Sequence, residues 1–312
     1  MTPDLLAPLN LLLSYFYWSK HNLAEIQSWG TRLVGDSGAY SAMSQGQPID
    51  HDRFLAWATR WRDITWWTAA LDVIGDADRT WDYWKAAPDD LNLVPTVHYP
   101  SPPQSLDRYV DAGATLIGLG GMVPFKSEPE RLLRWCLSMF RYARDTHPGV
   151  RFHGWGVTHP QLLTTLPWWS IDSSGYGSSY IYGRMRLWNP DTNRKVMVTL
   201  NGTDLAEHSR LLRRHYHADW QDLLTSHPGN RGNVFRVSAR SMQHEEAWLR
   251  ARHQVTPPAM LKDSPTGPNI LYATTAPVVV REGTLDTHGP HILFATGAPN
   301  YVRSGLDPKE RT

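Results

Sequence analysis

Apolar runs alternate with stretches of helical periodicity along the first two hundred residues. Seven strand-like runs and a weaker eighth are evident: Leu9 to Trp18, Thr31 to Asp36, Thr65 to Asp72, Leu93 to His98, Thr115 to Gly120, Val150 to Gly156, Trp168 to Asp172 and, more weakly, Lys195 to Leu200. Runs that are apolar along their whole length are typical of parallel strands covered on both faces. The repeated strand-then-helix pattern predicts an α/β fold, a (β/α)8 TIM-like barrel rather than an open doubly wound sheet.

The pattern changes after residue 200, which predicts two regions. Residues 1–200 form the barrel and catalytic region, and residues 201–312 form a C-terminal extension of helices and short strands that packs on the barrel and contributes nucleic-acid contacts. The basic stretch Thr203 to Thr225 favours a solvated helix face over a nucleic-acid contact. The tail holds two similar segments, GPNILYATTAP at 267–277 and GPHILFATGAP at 289–299, which are typical of a hairpin or edge sheet.

Composition narrows the class of protein. With 41% hydrophobic and 20% charged residues the chain reads as globular. No apolar run approaches the roughly 20 residues of a membrane helix, and the N-terminus does not resemble a signal peptide, so we expect a cytoplasmic protein without membrane contact. Cys136 is the single cysteine, which excludes an internal disulfide and any multi-thiolate metal site. Residues 1–100 hold 7 Lys/Arg against 12 Asp/Glu and the remainder 24 against 18, a modest basic excess suited to phosphates.

Polar residues recur where the strand-like runs end. Asp36, Asp72 and Asp172 close three of these runs, His98 closes a fourth, and Gly120-Gly121 follows a fifth. Each of them alone is more typical of a helix cap or a turn than of a site. Because the carboxyl ends of parallel barrel strands share one rim, together they predict a carboxylate-lined cup with a glycine wall.

The same segments resemble a known family. DSGAYS at 36–41 is similar to the DSGG(F/Y)Q segment of the tRNA-guanine transglycosylases, which exchange guanine for a 7-deazaguanine base. IGLGGM at 117–122 resembles their (A/V)GGL loop, FHGWGV at 152–157 their MGVG strand, and SIDSSG at 170–175 their FDCV nucleophile segment. ALDVIGD at 70–76 lies where the family has its base-reading aspartate, and the matches keep the family's order over residues 30–180.

The resemblance implies the chemistry of a pentosyltransferase. Asp172 is then the nucleophile that attacks C1′ of the sugar and holds it covalently while guanine leaves. Asp36 is the general acid and base, which protonates the departing base and deprotonates the incoming one. Two carboxylates acting in a double displacement retain the anomeric configuration, as in retaining glycosidases.

The resemblance also implies a base-binding set. Asp72 accepts hydrogen bonds from N1–H and the 2-amino group, Tyr40 stacks on the base, and Ser37 bonds nearby. The loop Gly120, Gly121 and Met122, together with His98 in place of the family's glutamine, serves the O6 side. His153 stands where the family has a stacking methionine.

The departures from the family indicate which relatives are most similar. Cys136 alone cannot supply the family's zinc site of three Cys and one His, so we expect no metal and no cofactor. A zinc-free, shortened chain is most similar to the DpdA-type 7-deazaguanine DNA transglycosylases of phages and bacteria, which implies DNA as the partner, a free 7-deazaguanine base as co-substrate and, for a viral protein, the host cytoplasm. Lys126, where bacterial enzymes have a glutamate, favours the neutral nitrile 7-cyano-7-deazaguanine (preQ0).

Basic residues just after the nucleophile segment are candidates for phosphate contacts: Arg184, Arg186, Arg194 and Lys195. A solvated loop is the equally strong alternative. Three other functions stay open at this point: a tRNA-guanine transglycosylase, a non-catalytic barrel that binds a nucleobase or DNA, and a hydrolytic barrel that uses the same carboxylates on a sugar.

Overall fold

A computed structural model describes residues 10–27, 32–173, 175–227, 229–253 and 269–274, of which 176–178 and 269–274 are described for the backbone only. The strands are β1 Asn10–Ser14, β2 Arg32–Asp36, β3 Thr65–Ala69, β4 Leu93–Val94, β5 Thr96–His98, β6 Leu116–Gly120, β7 Arg151–Gly154, β8 Ser170–Ser173, β9 Arg184–Asn189, β10 Arg194–Thr199 and β11 Asn269–Thr274. The helices are α1 Tyr15–Trp18, α2 Leu23–Gln27, α3 Ala39–Ser44, α4 His51–Trp61, α5 Ala77–Lys85, α6 Asp107–Asp111, α7 Pro129–Thr146, α8 Pro160–Thr165, α9 Gly175–Ile181, α10 Gly202–Glu207, α11 Ser209–Tyr216 and α12 Asn230–His253. Short 3-10 turns cover Asp89–Leu91, Pro103–Leu106, Val123–Phe125 and Trp220–Leu223.

Nine of these strands form one sheet in the order β4-β3-β2-β1-β11-β8-β7-β6-β5. Every pair in it whose register is described is parallel. The prediction of an α/β fold with a parallel sheet is therefore confirmed. The two strands at the ends of the order, β4 and β5, are separated in the chain by Pro95 alone. β9 and β10 form a separate antiparallel pair.

The eighth strand of the main sheet was predicted wrongly. Lys195 to Leu200 falls in β10, whose partner is β9, and the additional parallel strand is β11, which pairs with β8. In β10 only Val198 is fully buried, since the strand has one covered face and one exposed face. The tail segment at 267–277 thus supplies a strand of the main sheet, whereas its near repeat at 289–299 lies outside the described residues.

The chain divides into two compact units, and the boundary differs from the one predicted at residue 200. Among the described residues, one unit comprises 10–27, 32–173, 249–253 and 269–273, and the other comprises 175–227, 229–248 and Thr274. The ribbon of β9 and β10 belongs to the second unit because its buried side chains, such as Met185 and Leu187, pack in one cluster with Leu205 and Leu212 of the following helices. In the described part of the chain, no helix is long and apolar enough to cross a membrane.

Local sequence signals explain the helices of the first unit. The Asp50 side chain accepts a hydrogen bond from Arg53 N and begins α4, which buries Phe54 and Trp61 on its apolar stripe. Cys136 of α7 is fully buried, and burial raises the pKa of its thiol to about 12. An uncharged thiol enclosed in the core is a packing residue and not a nucleophile.

One cluster of buried side chains joins strands from much of the sheet order. Its members come from β1, β2, β3, β4 and β6 and from the residue before β8: Leu12, Val34, Trp67, Ala69, Val94, Leu116 and Trp169, with Trp66 and Trp155 packed against them. The large indole rings of the tryptophans fill this core next to strand positions that have small side chains.

Gly118 of β6 makes room for one of those indoles. A Cβ on Gly118 would lie 2.2 Å from Nε1 of Trp155, and that Nε1–H donates to Thr96 Oγ1 at 3.0 Å. No side chain larger than hydrogen fits without moving the indole. The ring of Trp155 in turn lies against His153, with centroids 4.1 Å apart.

We expect Gly118→Ala to displace Trp155, break its hydrogen bond to Thr96 and lower the free energy of unfolding by about 1–3 kcal/mol, as for other overpacked cores. Chemical unfolding followed by tryptophan fluorescence measures both effects. Gly149→Ala is the matched control, since a Cβ there meets no atom within 4 Å. Equal stability of the two variants would contradict the packing described for Trp155.

Candidate active site

The polar residues predicted at strand ends do lie at the carboxyl ends of the parallel strands. Asp36 ends β2, His98 ends β5, and Asp172 lies in β8. Asp72 follows β3 by three residues, in the loop before α5. Parallel strands bring these ends to one edge of the sheet.

Asp72 holds two of the predicted base-binding residues by hydrogen bonds. His98 Nε2 donates to its Oδ2 at 2.6 Å, and Ser37 Oγ donates to its Oδ1 at 3.3 Å. Ser37 is fully buried, and the side chains of Asp72 and His98 keep 15% and 11% of their exposure. The three residues come from the ends of three strands and form one connected polar group.

Asp172 is held through a single oxygen. The backbone N–H of Gly156 donates to its Oδ1 at 2.6 Å, and His153 Nε2 lies 3.5 Å from the same atom, beyond hydrogen-bond distance. The side chain retains 14% exposure. Oδ1 is therefore fixed to the loop after β7, and Oδ2 is the oxygen that remains for another partner.

His153 is placed differently from the base-stacking position that the family resemblance implies. It is fully buried, and Nδ1 is hydrogen-bonded to Ser170 Oγ at 2.7 Å, as their register in the neighbouring strands β7 and β8 requires. Burial lowers the pKa of His153, although the nearby Asp172 carboxylate opposes this shift. A neutral, enclosed imidazole beside Asp172 positions that side chain and offers no face to a base.

Asp36 is the carboxyl group at this edge of the sheet whose pKa is strongly shifted. Desolvation, together with the negative charges of Asp72 and Asp172, raises its pKa to about 7, and the hydrogen bond from the backbone N–H of Gly38 opposes the shift. A carboxyl group that titrates near neutral pH is suited to give and take a proton. These contributions indicate that Asp72 and Asp172 each lie near enough to Asp36 to act on it electrostatically.

Gly121 lies beside His98 of the polar group, and Tyr40 follows Ser37 by three residues in the chain. Gly121 has a φ of +71°, and a Cβ there would lie 3.1 Å from Tyr99 N, so the position requires glycine. The O of Gly120 accepts from Tyr99 N at 2.9 Å. Tyr40, in the first turn of α3, is 47% exposed and has a ring available for stacking. Met122 is buried against Cys136, with the sulfur atoms 3.7 Å apart, and so lies away from the surface of the site.

Sequence reasoning missed three residues of this site. Gly156 and Trp155 fall inside the FHGWGV segment, and Ser170 precedes Asp172 by two residues. The alternation of side chains along a strand puts positions i and i+2 on one face, so the pair Ser170 and Asp172 carried a usable signal. The hydrogen bond from Gly156 N left no signal, because it depends on how the loop after β7 turns.

The predicted phosphate-binding residues lie in the second unit. Arg184, Arg186 and Arg194 are exposed on the β9/β10 ribbon, whereas Lys195 pairs with the buried Glu245, its Nζ 2.8 Å from Oε1. Part of the basic face of α11 is paired with acidic side chains. Arg213 pairs with Asp219, and Arg214 and His215 pair with Asp191. Within the described residues there is no group of three or more metal-ligating side chains that could hold an ion.

We expect the carboxyl group of Asp36 to titrate near pH 7. Carbon-13 NMR of protein labelled at aspartate should resolve this midpoint and show a lower one in Asp72→Asn and in Asp172→Asn, because each substitution removes a negative charge. Asp78→Asn is the control, since that side chain is 94% exposed and pairs with Arg108. A titration midpoint of Asp36 near pH 4, or a midpoint that neither substitution changes, would contradict the described environment.

The raised pKa also predicts a pH dependence of folding. The folded-state pKa of Asp36, about 7, lies above the unfolded value of about 3.9, so the stability it contributes is complete below the unfolded pKa and is lost as pH rises to 7. Asp36→Asn removes this loss. We therefore expect the variant to gain stability over the wild type at pH 8 and not at pH 4, as measured by urea unfolding.

Comparison with known proteins identifies no relative whose function could be transferred to this chain. No family model matches the chain, and no curated protein matches it. What the site itself offers is three interacting carboxylates at the ends of parallel strands, one of them poised near neutral pH, beside a glycine turn and an exposed tyrosine.

Proposed function

We propose that this protein is a DNA-guanine transglycosylase, which exchanges guanine in DNA for a free 7-deazaguanine base. The observation that carries the proposal is that one edge of a parallel sheet holds both Asp36, with a pKa of about 7 to which Asp172 contributes, and Asp172, with Oδ1 fixed and Oδ2 open. Two carboxyl groups in different environments are what a glycosyl transfer through a covalent intermediate needs. The ordered resemblance to the transglycosylase motifs supports the same chemistry.

We further propose that the parallel sheet is a (β/α)8 barrel. β4 pairs with β3 and β5 pairs with β6, and only Pro95 separates β4 from β5. Counted as one strand, Leu93 to His98 makes eight strands and joins the two ends of the sheet order. The Pro95 carbonyl accepts from Gly118 N at 2.8 Å, which continues the pairing across the interruption. The core cluster that draws on strands throughout the order also supports closure.

In the first half-reaction, Asp172 Oδ2 attacks C1′ of a deoxyguanosine whose base has been flipped out of the duplex. The bond from C1′ to N9 breaks, and its electron pair leaves with guanine. Protonated Asp36 supplies the proton that the departing base takes up. The product is an ester between C1′ and Asp172, with Asp36 left ionised.

In the second half-reaction, ionised Asp36 accepts the N9 proton of the incoming 7-deazaguanine. N9 attacks C1′, the ester bond to Asp172 breaks, and the electron pair returns to the carboxylate. Both residues are then in their starting protonation states. The pKa of about 7 suits Asp36 to both roles, since acid and base forms are equally populated near neutral pH.

The group of Asp72, Ser37 and His98 is the proposed reader of the base. A carboxylate has two acceptor oxygens, and each oxygen of Asp72 holds one protein donor with a lone-pair direction left for N1–H or the 2-amino group. That edge is common to guanine and the 7-deazaguanines, so one site serves the leaving and the incoming base. Tyr40 is the proposed stacking partner.

DNA is the proposed polymer and preQ0 the proposed base. The tRNA-guanine transglycosylases that this chain resembles have a zinc site of three Cys and one His, which a chain with a single cysteine cannot form. Its absence favours the zinc-free DNA enzymes. Lys126, exposed at the end of the turn Val123–Phe125, places a cation near the glycine loop. A cation disfavours a charged aminomethyl group and tolerates a neutral nitrile.

We expect the protein to incorporate 7-cyano-7-deazaguanine into duplex DNA and to release one guanine for each base incorporated. Digestion to nucleosides and mass spectrometry measures incorporation, and a parallel incubation with tRNA identifies the polymer. Incorporation into tRNA alone would establish the tRNA enzyme, and guanine release without free base would establish a hydrolase. Binding of base or DNA with no exchange in either polymer would leave only a binding protein.

We expect Asp172→Asn to abolish both exchange and the covalent protein–DNA complex, because an amide cannot form the ester. Asp36→Asn should retain DNA binding but slow exchange by about 10²–10⁴-fold, the usual contribution of a general acid. Asp78→Asn, at a side chain that is 94% exposed and pairs with Arg108, should react as the wild type. A denaturing gel of the trapped complex is the measurement, and a complex formed by Asp172→Asn would assign the nucleophile elsewhere.

A further inference from the structure

The ribbon of β9 and β10 has one buried face and one face that is exposed only at the end carrying Arg184 and Arg186. At its other end, that second face is covered by α12, where Trp188 packs against Trp248. Register pairs Arg184 with Thr199 and Arg186 with Met197, so these four residues share a face, and all except Met197 are polar. On the opposite face Met185 and Val198 are fully buried in the core of the second unit. The packing of that core fixes which side of the ribbon faces solvent.

The exposed face carries unneutralised positive charge. Neither Arg184 nor Arg186 has an acidic partner among the described residues, whereas Lys195, at the far end of the ribbon, is paired with Glu245. Met197 is 43% exposed, an unusual position for a large apolar side chain. Two free guanidinium groups beside an apolar side chain and a threonine methyl are unlike an ordinary solvated strand, and they match what proteins present to base edges.

We propose that this face of the ribbon, Arg184, Arg186, Met197 and Thr199, binds in the major groove of duplex DNA. Two strands lie about 4.8 Å apart, and the major groove, about 12 Å wide, admits such a ribbon. Arginine contacts phosphates and the O6 and N7 atoms of guanine, and threonine or other apolar groups contact the thymine methyl. The inference rests on the proposed function only for the choice of DNA as polymer.

This assignment separates the four basic residues predicted from the sequence. Arg194 pairs with Asn189 on the opposite face of the ribbon, and Lys195 is held by Glu245. Only Arg184 and Arg186 are therefore groove contacts. Substitution of Arg194 removes the same positive charge, so Arg194→Gln serves as the matched control.

The test measures binding of the full-length protein to a guanine-containing DNA duplex without free base, over a series of salt concentrations. We expect Arg184→Gln/Arg186→Gln to weaken binding by about tenfold to a hundredfold and to lower the salt dependence, and Arg194→Gln to change affinity less than about twofold. Dimethyl sulfate should show guanine N7 atoms, which lie in the major groove, protected by the wild type and not by the double variant. Duplex RNA, whose major groove is too narrow and deep to admit the ribbon, should bind more weakly.

Equal affinity of the double variant and Arg194→Gln, absence of N7 protection, or equal binding of duplex RNA with the same arginine dependence would each overturn the groove assignment. Base exchange is measured separately in the same preparations. Exchange with no dependence on Arg184 and Arg186 would refute groove binding by the ribbon but not the transglycosylase activity. Arginine-dependent groove binding without exchange would refute the transglycosylase activity but not groove binding by the ribbon.

Discussion

The site depends on one electrostatic constraint, a partly buried carboxyl group whose ionisation two other carboxylates oppose. Desolvation penalises the ionised form of Asp36, and the charges of Asp72 and Asp172 add to that penalty. The fold imposes this arrangement, because β2 and β8 are parallel and the loop after β3 leaves from the same edge. Asp36 is consequently an acid that ionises near neutral pH, and any chemistry at this edge has a proton available to it.

The other two carboxylates are occupied in different ways, which divides the possible roles among the three. Asp72 uses both oxygens, one for Ser37 and one for His98, so it is fixed in orientation and suited to recognition. In Asp172 only Oδ1 is hydrogen-bonded, by the backbone N–H of Gly156, and His153 lies beside the same oxygen. Its Oδ2 remains available to another partner. In the proposed mechanism, environment rather than residue type separates the acid, the base-reading residue and the nucleophile.

The sequence was sufficient for the strand ends but not for the closing strand. Asp36, His98 and Asp172 could be placed at one edge because apolar runs that end in polar residues share that edge in any parallel sheet. β11 lies about a hundred residues after β8, and nothing local in NILYAT distinguishes a strand of the main sheet from one of a hairpin. β10 has an apolar pattern of similar strength, so only the pairing of strands, a long-range property, decides between them.

The glycines illustrate the same limit at the scale of single atoms. From the sequence, Gly120 and Gly121 form one wall that lets a ligand approach the backbone. In the fold they serve different purposes: a Cβ on Gly120 would lie 2.9 Å from Thr96 Cγ2 and 3.2 Å from Trp155 Cδ1, so that glycine makes room for protein side chains, while Gly121 is needed for its φ of +71°. The indole of Trp155, 4.1 Å from His153 by ring centroids, thereby joins the glycine strand to the residues behind Asp172. Small residues on β6 thus help to position a carboxylate on β8, through a tryptophan that no motif singled out.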